Sequence, residues 1–461
     1  MQGTDLSRFE FYATRIRLLR LSSFKEIVST HIYMAITETF QGKTLFPALT
    51  TVRILSLDYI ANENFFLLHL ITPSPISTLE ICSVKKSNEV RLNSFLNDIS
   101  RLHRSGSTNL HPLSVLSLEG SFLPSTTNLL PNFTRLAKLA FELTVVTTNN
   151  NILKDILKIS SSLLSLLEFK LKLPFEEFDV LQTNLSQESK LYTFPTLQHL
   201  DVAGPATFVC DVLRSIYGGC LSRITFAIFS PPAIVTNVIP QCIQRCIIMT
   251  PTLLDLHITL PIVMDDDIFA PFQSYRLLRS LHISSPALIR RYFVDIFDKE
   301  FGEWPILESA TFKSETRRNI PMHQTASIHL PAISCPKLRK LEVYLPNPFS
   351  ANVQVANDTL QDLLDSSPRT DHNLTELKLT ILDPLIEDFS IDTFMEAKEA
   401  ILLARVIDHL YPNLKCLDIN CDTETVYMAR SHWRPWYRGI EMMVKNFREA
   451  RGGYRANIHP T

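Results

Sequence analysis

The first residues to consider are those whose chemistry could support a metal site. Asp265, Asp266 and Asp267 are consecutive carboxylates of the kind that bind hard divalent cations. Cys242 and Cys246 are four residues apart and could share one helix face, but no His or Cys pair at ligand spacing accompanies them. We therefore expect a solvated loop at the aspartates, reduced buried thiols at these two cysteines, and no metal at either place.

The sequence also lacks the motifs that mark common enzyme sites. Gly-x-Gly-x-x-Gly, the phosphate-binding loop, the Gly-x-Ser-x-Gly elbow and His-Glu-x-x-His are all absent. The chain has 11 glycines and 27 prolines, a balance that favours many turns over glycine-rich phosphate loops. We therefore expect no catalytic activity and no cofactor.

A leucine-rich phrase recurs along the chain. In FPTLQHLDV, residues 194–202, an anchor (position 0) and positions +3 and +5 are the apolar residues Leu197, Leu200 and Val202. The same triplet occurs fourteen times, at an average spacing of about 31 residues. The anchors are Ile16, Leu49, Ile76, Leu113, Leu136, Leu164, Leu197, Leu221, Leu253, Leu278, Leu307, Leu338, Leu374 and Leu414.

The spacing of this phrase predicts the fold. Positions +3 and +5 are two inward side chains of a short strand, because alternate residues of a strand face opposite sides. Helical periodicity follows in connecting segments such as residues 394–411. We therefore predict an α/β leucine-rich-repeat solenoid, a right-handed β-α superhelix with a curved parallel sheet and helices on the convex side. We assign residues 1–429 to the array and residues 430–461 to a capping helix and basic tail.

The residue at position +4 faces outward and lines the concave side of the predicted sheet. Basic residues open this row, acidic residues follow and mixed residues close it, which suits recognition of a protein partner. His257 and His282 hold this position in neighbouring repeats, where the pair could titrate, bind a metal or contact a partner. The predicted partner-binding residues are Arg20, Arg53, Glu80, Glu168, Asp201, His257, His282, Glu342, Lys378 and Asp418.

The carboxyl-terminal stretch allows two interpretations. Residues 430–461 contain seven Lys or Arg, with Trp433, Trp436 and Tyr437 between them, and such a mixture can bind single-stranded nucleic acid. The same stretch has apolar residues at helical spacing, which favours a helix that covers the end of the array. These apolar residues are Ile440, Met443, Val444 and Phe447. We favour the cap and keep a nucleic-acid-binding scaffold as the alternative.

Charge and hydropathy indicate the location. The net charge of -2 gives no general attraction to nucleic acid or to anionic membranes. Charged residues interrupt the first twenty positions, so no targeting peptide is recognisable there. The longest uncharged stretch, residues 224–244, contains three prolines and makes a poor membrane helix. We expect a cytoplasmic or nuclear protein that does not contact a membrane.

Several stretches together resemble the leucine-rich-repeat F-box-type proteins of mushroom-forming fungi. They are DLSRFEFYATRIRLLRL at 5–21, the repeated FPxLxxLxV turns and HWRPWYRGIEMMVKNFREAR at 432–451. The resemblance implies the substrate-recognition part of a ubiquitin ligase, in which an F-box segment docks onto the ligase adaptor. The Leu-Pro-x-Glu phrase typical of an F-box does not precede the first triplet. We expect an unknown protein substrate on the concave face, and the adaptor as a partner only where an upstream F-box exists.

Overall fold

The chain divides into two compact units, Met1–Phe229 and Ser230–Thr461. Among the described residues, no helix is both long enough and apolar enough to cross a membrane. The computed structural model describes residues 3–22, 30–40, 44–56, 65–104, 112–122, 124–144, 151–173, 191–229, 241–246, 250, 252–260, 275–285, 304–314, 331, 334–346, 353–366, 372–382, 397–422 and 438–450.

In the first unit, parallel strands pair with one another in chain order. They are β1 (Leu18–Leu21), β2 (Thr51–Ile54), β3 (Thr78–Val84), β4 (Val115–Gly120), β5 (Lys138–Leu143), β6 (Glu168–Lys172), β8 (His199–Gly204) and β10 (Arg223–Ile228), while β7 (Tyr192–Thr193) and β9 (Ile216–Tyr217) pair separately. The helices are α1 (Gly3–Ala13), α2 (Thr30–Phe40), α3 (Phe65–Ile71), α4 (Glu89–Arg104), α5 (Pro124–Thr127), α6 (Asn151–Ser161) and α7 (Ala206–Ser215), with 3-10 turns at Lys86–Asn88 and Leu130–Asn132.

In the second unit the parallel strands also follow chain order. They are β11 (Asp255–Thr259), β12 (Ser280–Ser285), β13 (Ser309–Ser314), β14 (Lys340–Pro346), β15 (Glu376–Leu382) and β16 (Cys416–Asp422). The described helices are α8 (241–246), α9 (Val353–Ser366), α10 (Ala397–Leu410) and α11 (438–450). Helix α10 matches the periodicity predicted over residues 394–411, whereas most of the other connecting segments of this unit lie outside the described residues.

The repeated phrase builds these strands as predicted. Apart from the sixth repeat, each strand begins two residues after its anchor, and most of the side chains at positions 0, +3 and +5 are buried, as at Leu197, Leu200 and Val202. Within each unit, stacking the repeats joins these side chains into an apolar layer that a single repeat could not bury. The predicted α/β leucine-rich-repeat solenoid is therefore confirmed.

The sixth repeat corrects the predicted register. We predicted Leu164 as its anchor, but Leu164 and Leu167 are 70% and 39% exposed. The buried triplet is instead Leu166, Phe169 and Leu171, two residues later. Both registers fit the leucine spacing, but the observed one buries Leu166 and Leu171 in place of Leu164 and Leu167. Since the shift is two residues, Glu168 still points outward as predicted.

A backbone hydrogen-bond ladder holds consecutive repeats in register. At position +1 of each repeat, one carbonyl oxygen accepts two N–H groups, from positions +1 and +2 of the next repeat. The Ser114 carbonyl accepts from Ala137 at 2.8 Å and from Lys138 at 2.9 Å. This arrangement uses both lone pairs of the carbonyl. It recurs at the described strand-to-strand interfaces within each unit.

A second, side-chain ladder supports the turns just before the strands. Asn373 donates to the Pro336 carbonyl at 3.2 Å, and Asn413 donates to the His372 carbonyl at 3.0 Å. The buried His372 ring donates from Nε2 to the Cys335 carbonyl at 2.8 Å and accepts the Leu374 N–H at Nδ1. Burial lowers the pKa of His372, partly offset by its bond to the Cys335 carbonyl. The ring is therefore a neutral part of the turn.

Helix α11 lies against β16, the last described strand of the second unit. Its Ile440 and Val444 side chains are buried. Glu441 accepts the backbone N–H of Ile419 on β16 at 2.9 Å, and Arg448 donates to the Leu414 carbonyl. The helix thus supplies hydrogen-bond partners that another strand would otherwise supply. Our division of the chain at residue 429 stays a prediction.

The position of Gly120 generates a stability prediction. Its φ is +142°, and an added Cβ would lie 2.2 Å from the Val84 carbonyl oxygen, where β3 carries an irregularity in register. We expect Gly120→Ala to reduce the free energy of unfolding by about 3 kcal/mol, because strain and overlap add. Thermal unfolding measures the effect. Gly219→Ala is the control, since nothing lies within 4 Å of the added Cβ, and an equal loss in both variants would contradict the prediction.

The contact of Glu441 generates a second prediction. We expect Glu441→Ala to lower the free energy of unfolding by about 2 kcal/mol, because the part-buried Ile419 N–H loses its acceptor. Glu449→Ala is a matched control on the same helix, since that carboxylate is exposed and pairs loosely with Lys445 at 3.8 Å. Its effect should stay within about 0.5 kcal/mol. Equal unfolding temperatures for the two variants would show that α11 does not support β16.

Candidate functional site

The candidate site is the face of the strands opposite the buried layer. Side chains at positions +2 and +4 point away from the core and are partly or fully exposed, as at Glu168 and Lys170. We call the surface formed by these two positions the open face, in each unit separately. Because the ladder keeps the repeats in register, each position forms a row across neighbouring strands.

Nine of the ten predicted partner-binding residues lie at position +4 of the open face. In the first unit Arg20, Arg53 and Glu80 are consecutive in register, and Asp201 aligns with Lys170. Glu168 is the exception. It aligns with Lys138 and His199 in the row at position +2, because of the register shift in the sixth repeat.

The second unit holds the remaining predicted residues in one row. His257 aligns with His282, and after Thr311 the row continues through Glu342, Lys378 and Asp418. The structure thus brings the predicted residues side by side within each unit. Whether they bind a partner stays a prediction.

The open face of the first unit contains a groove of about 300 Å³ across β4, β5, β6, β8 and β10. The small side chains of Ser117, Ala140 and Thr225 form part of its lining, and longer charged side chains surround them. These charged and ionisable residues are Lys138, Glu168, Lys170, His199, Asp201 and Arg223. The groove is open to solvent, and charged side chains of both signs surround a largely apolar floor.

Charges on the groove pair across neighbouring strands. Lys138 Nζ lies 2.8 Å from Glu168 Oε1, and His199 Nδ1 lies 3.3 Å from the same oxygen. Burial alone would raise the pKa of Glu168, but these two neighbours outweigh it and the pKa lies below its usual value. Lys170 Nζ approaches Asp201 Oδ2 at 3.7 Å. Glu168 is therefore ionised at neutral pH and holds two neighbouring side chains in place.

The same alternation recurs elsewhere on the open face. In the first unit Arg53 pairs with Glu80 across β2 and β3. In the second unit Lys340 Nζ lies 2.7 Å from Glu376 Oε2, and Lys378 Nζ lies 3.0 Å from Glu342 Oε1. Each of these pairs joins residues that are in register on adjacent strands. The open face is thus largely self-neutralised.

The histidine pair is adjacent, as the sequence predicted. The rings of His257 and His282 stack with centroids 5.2 Å apart and an interplanar angle of 29°. Burial lowers the pKa of His282 to about 4, with further lowering by His257 and Lys313 and partial compensation by Glu342. His282 is therefore neutral at physiological pH. The pair presents a flat aromatic surface that a partner side chain could contact.

Two of the remaining candidates from the sequence are cysteines on α8. Cys242 and Cys246 are buried and not disulfide-bonded, as predicted. Within the described residues, no group of three or more His, Cys, Asp or Glu side chains could hold a metal ion. The aspartates at 265–267 and the aromatic residues Trp433, Trp436 and Tyr437 lie outside the described residues.

The sequence interpretation missed the row at position +2. Lys138, His199 and Arg223 face the groove, and Lys340 and Glu376 occupy the corresponding row of the second unit. The signal was available, because positions +2 and +4 share a face in any strand. The prediction considered only the residue between +3 and +5.

Comparisons with known proteins found similar solved structures only. No protein-family model matches the chain, and no curated protein matches it. Among solved structures, the yeast Rad7–Elc1 complex is similar at 15% identity and a TM-score of 0.39, over 84% of this chain and 80% of that chain. The leucine-rich repeat-containing protein LegL7 of Legionella pneumophila is similar at 10% identity and a TM-score of 0.34, over 93% of this chain and 98% of that chain. Our fold assignment rests on the strand register and burial of this chain.

The lowered pKa of His282 predicts a pH-dependent stability. An unfolded histidine titrates near 6.5, so between about pH 6.5 and about pH 4 the unfolded chain binds more protons at this residue. The free energy of unfolding should therefore fall as the pH drops through that window. We expect His282→Gln to lose less stability than the wild type between pH 7 and pH 5, measured by thermal unfolding.

The control for this experiment is His31→Gln, at an exposed position on α2. It should follow the wild-type pH dependence. Superimposable curves for the wild type and His282→Gln would contradict the assignment.

Proposed function

We propose that this chain is a non-catalytic protein–protein interaction module that binds a protein partner on its open face. By its resemblance it corresponds to the substrate-recognition part of an F-box ubiquitin-ligase receptor. The observation that carries the proposal is the set of in-register rows on the open face, where side chains of both charges alternate between neighbouring strands.

The spacing of these rows favours recognition over catalysis. Neighbouring strands are about 4.8 Å apart, so successive row members spread across the sheet and do not converge on one reacting atom. Ion pairs such as Lys138–Glu168 and Lys340–Glu376 also keep the charged groups in pairs at separate places along the face. Such a surface selects a partner by the order of its charges, because mispaired like charges are costly at an interface.

The alternation of charges also weighs against the nucleic-acid alternative. Nucleic-acid binding draws on Lys and Arg side chains that neutralise several phosphates, whereas lysines of the open face pair with carboxylates. On α11, Arg448 donates to the Leu414 carbonyl, and burial lowers its pKa. Lys445 on the same helix lies 3.8 Å from Glu449. We therefore do not propose nucleic acid as a ligand of the described residues.

A ligase adaptor belongs to the proposal as a conditional second partner. We propose adaptor binding only for a chain that carries an F-box segment ahead of the repeats. A direct comparison is co-purification of the adaptor with residues 1–461 alone and with the same residues preceded by any upstream coding sequence of the gene. Adaptor binding by the extended chain alone would support the receptor role, with substrate recognition assigned to the repeats.

Photo-crosslinking tests the location of the partner. We expect a photoreactive phenylalanine at Ser117 on β4 or Thr311 on β13 to crosslink a partner protein from a cell extract, because both positions lie on the open face. Mass spectrometry identifies the crosslinked protein. Binding of that protein to the chain should weaken only modestly as the salt concentration is raised.

The matched controls are the same photoreactive residue at Lys158 on α6 and Arg405 on α10, both exposed. They should yield no such product. Equal products from helix and strand positions, or products from the helices alone, would refute binding at the open face. A steep loss of binding with salt and capture of nucleic acid would instead support the nucleic-acid alternative.

A further inference from the structure

We propose that the groove of the first unit contains a subsite for an acidic side chain from an extended segment of the partner. The subsite lies over Ala140 on β5, between Ser117, Lys138 and Lys170. This inference rests on the proposed function and names the chemistry that the partner brings to the open face.

The shape of the groove defines the subsite. Ser117, Ala140 and Lys170 are in register on adjacent strands, and Lys138 lies two residues before Ala140 on the same face. Ala140 has no side chain beyond Cβ, so the surface is depressed at this position relative to the longer side chains around it. Leu116 and Leu139 line the same part of the groove and are buried in the layer below. An incoming side chain therefore finds space over Ala140.

The charge of the lining favours an anion. Three basic residues, Lys138, Lys170 and Arg223, face two acidic residues, Glu168 and Asp201. An ammonium group has three N–H donors, and Glu168 accepts from Lys138 at one of them.

The second lysine is also placed to donate. Lys170 Nζ is 3.7 Å from Asp201, beyond hydrogen-bond distance. The Lys138 and Lys170 side chains are 52% and 41% exposed, so both can donate to a ligand from solvent. With the Ser117 hydroxyl, they offer three donors around the subsite.

The size and the surroundings of the groove select the type of ligand. Five strands at about 4.8 Å spacing give the groove a length of about 19 Å, which matches about six residues of extended chain. A carboxylate has two oxygens for the donors around Ala140. We therefore assign the subsite to an Asp or Glu side chain, whose two carboxylate oxygens match the two lysine ammonium groups.

Peptide selection tests the subsite. Random twelve-residue peptides displayed on phage are selected on the wild-type chain, on the double variant Lys138→Glu/Lys170→Glu, and on Lys158→Glu. The last is a matched control, because Lys158 is an exposed lysine of α6 in the neighbouring connection. We expect the wild type and the control to enrich peptides with one fixed Asp or Glu, and the double variant to lose this preference.

Two further measurements separate charge from folding. Replacing the fixed Glu of a selected peptide by Gln should weaken its binding to the wild type about tenfold, by loss of charge-assisted hydrogen bonds. Ala140→Glu fills the subsite with the chain's own carboxylate and should remove the preference at an unchanged unfolding temperature.

Two results would overturn the subsite. One is the absence of an acidic preference on the wild type, and the other is its persistence on the double variant. In either case crosslinks from Ser117 and Thr311 would still show that a partner binds the open face. Failure of the subsite can therefore be distinguished from failure of the proposed function.

Discussion

The carbonyl oxygen at position +1 of each repeat is the group on which the rest of the structure depends. By accepting two N–H groups from the next repeat, as Ser114 does from Ala137 and Lys138, it fixes both the spacing and the register of neighbouring strands. A slip of one residue would break this pair of bonds and turn every buried leucine toward solvent. The side-chain ladder through Asn373 and Asn413 adds a second restraint at the preceding turn.

That fixed register converts a loosely repeated sequence into an ordered surface. Residues separated by some thirty positions in sequence, such as Lys138 and Glu168, become neighbours with their charged atoms 2.8 Å apart. The same restraint places His257 beside His282. Individually, exposed ion pairs stabilise the fold little. What a partner protein can recognise is the order of charges, and of small and large side chains, along the open face.

Much of this architecture is predictable from the sequence, because the apolar triplet reports directly which side chains a strand must bury. The prediction failed at Leu164, where leucines two residues apart satisfy the spacing equally and only the packing of Leu166 and Leu171 decides between them. The groove at Ala140 was also not predictable. The groove depends on which side chains align across neighbouring strands. The charged neighbours of the residues at position +2 are known only once that alignment is known.

The measurement that tests the central claim most directly is a charge exchange within one pair of the open face. The double variant Lys138→Glu/Glu168→Lys keeps an ion pair in the same place but reverses its direction. Binding of the partner protein captured by crosslinking, and thermal unfolding, would be measured for the wild type and the variant. The account predicts an unchanged unfolding temperature with binding at least tenfold weaker, because the order of charges carries the recognition. Unchanged binding by a fully folded variant would contradict it and place the interaction elsewhere on the chain.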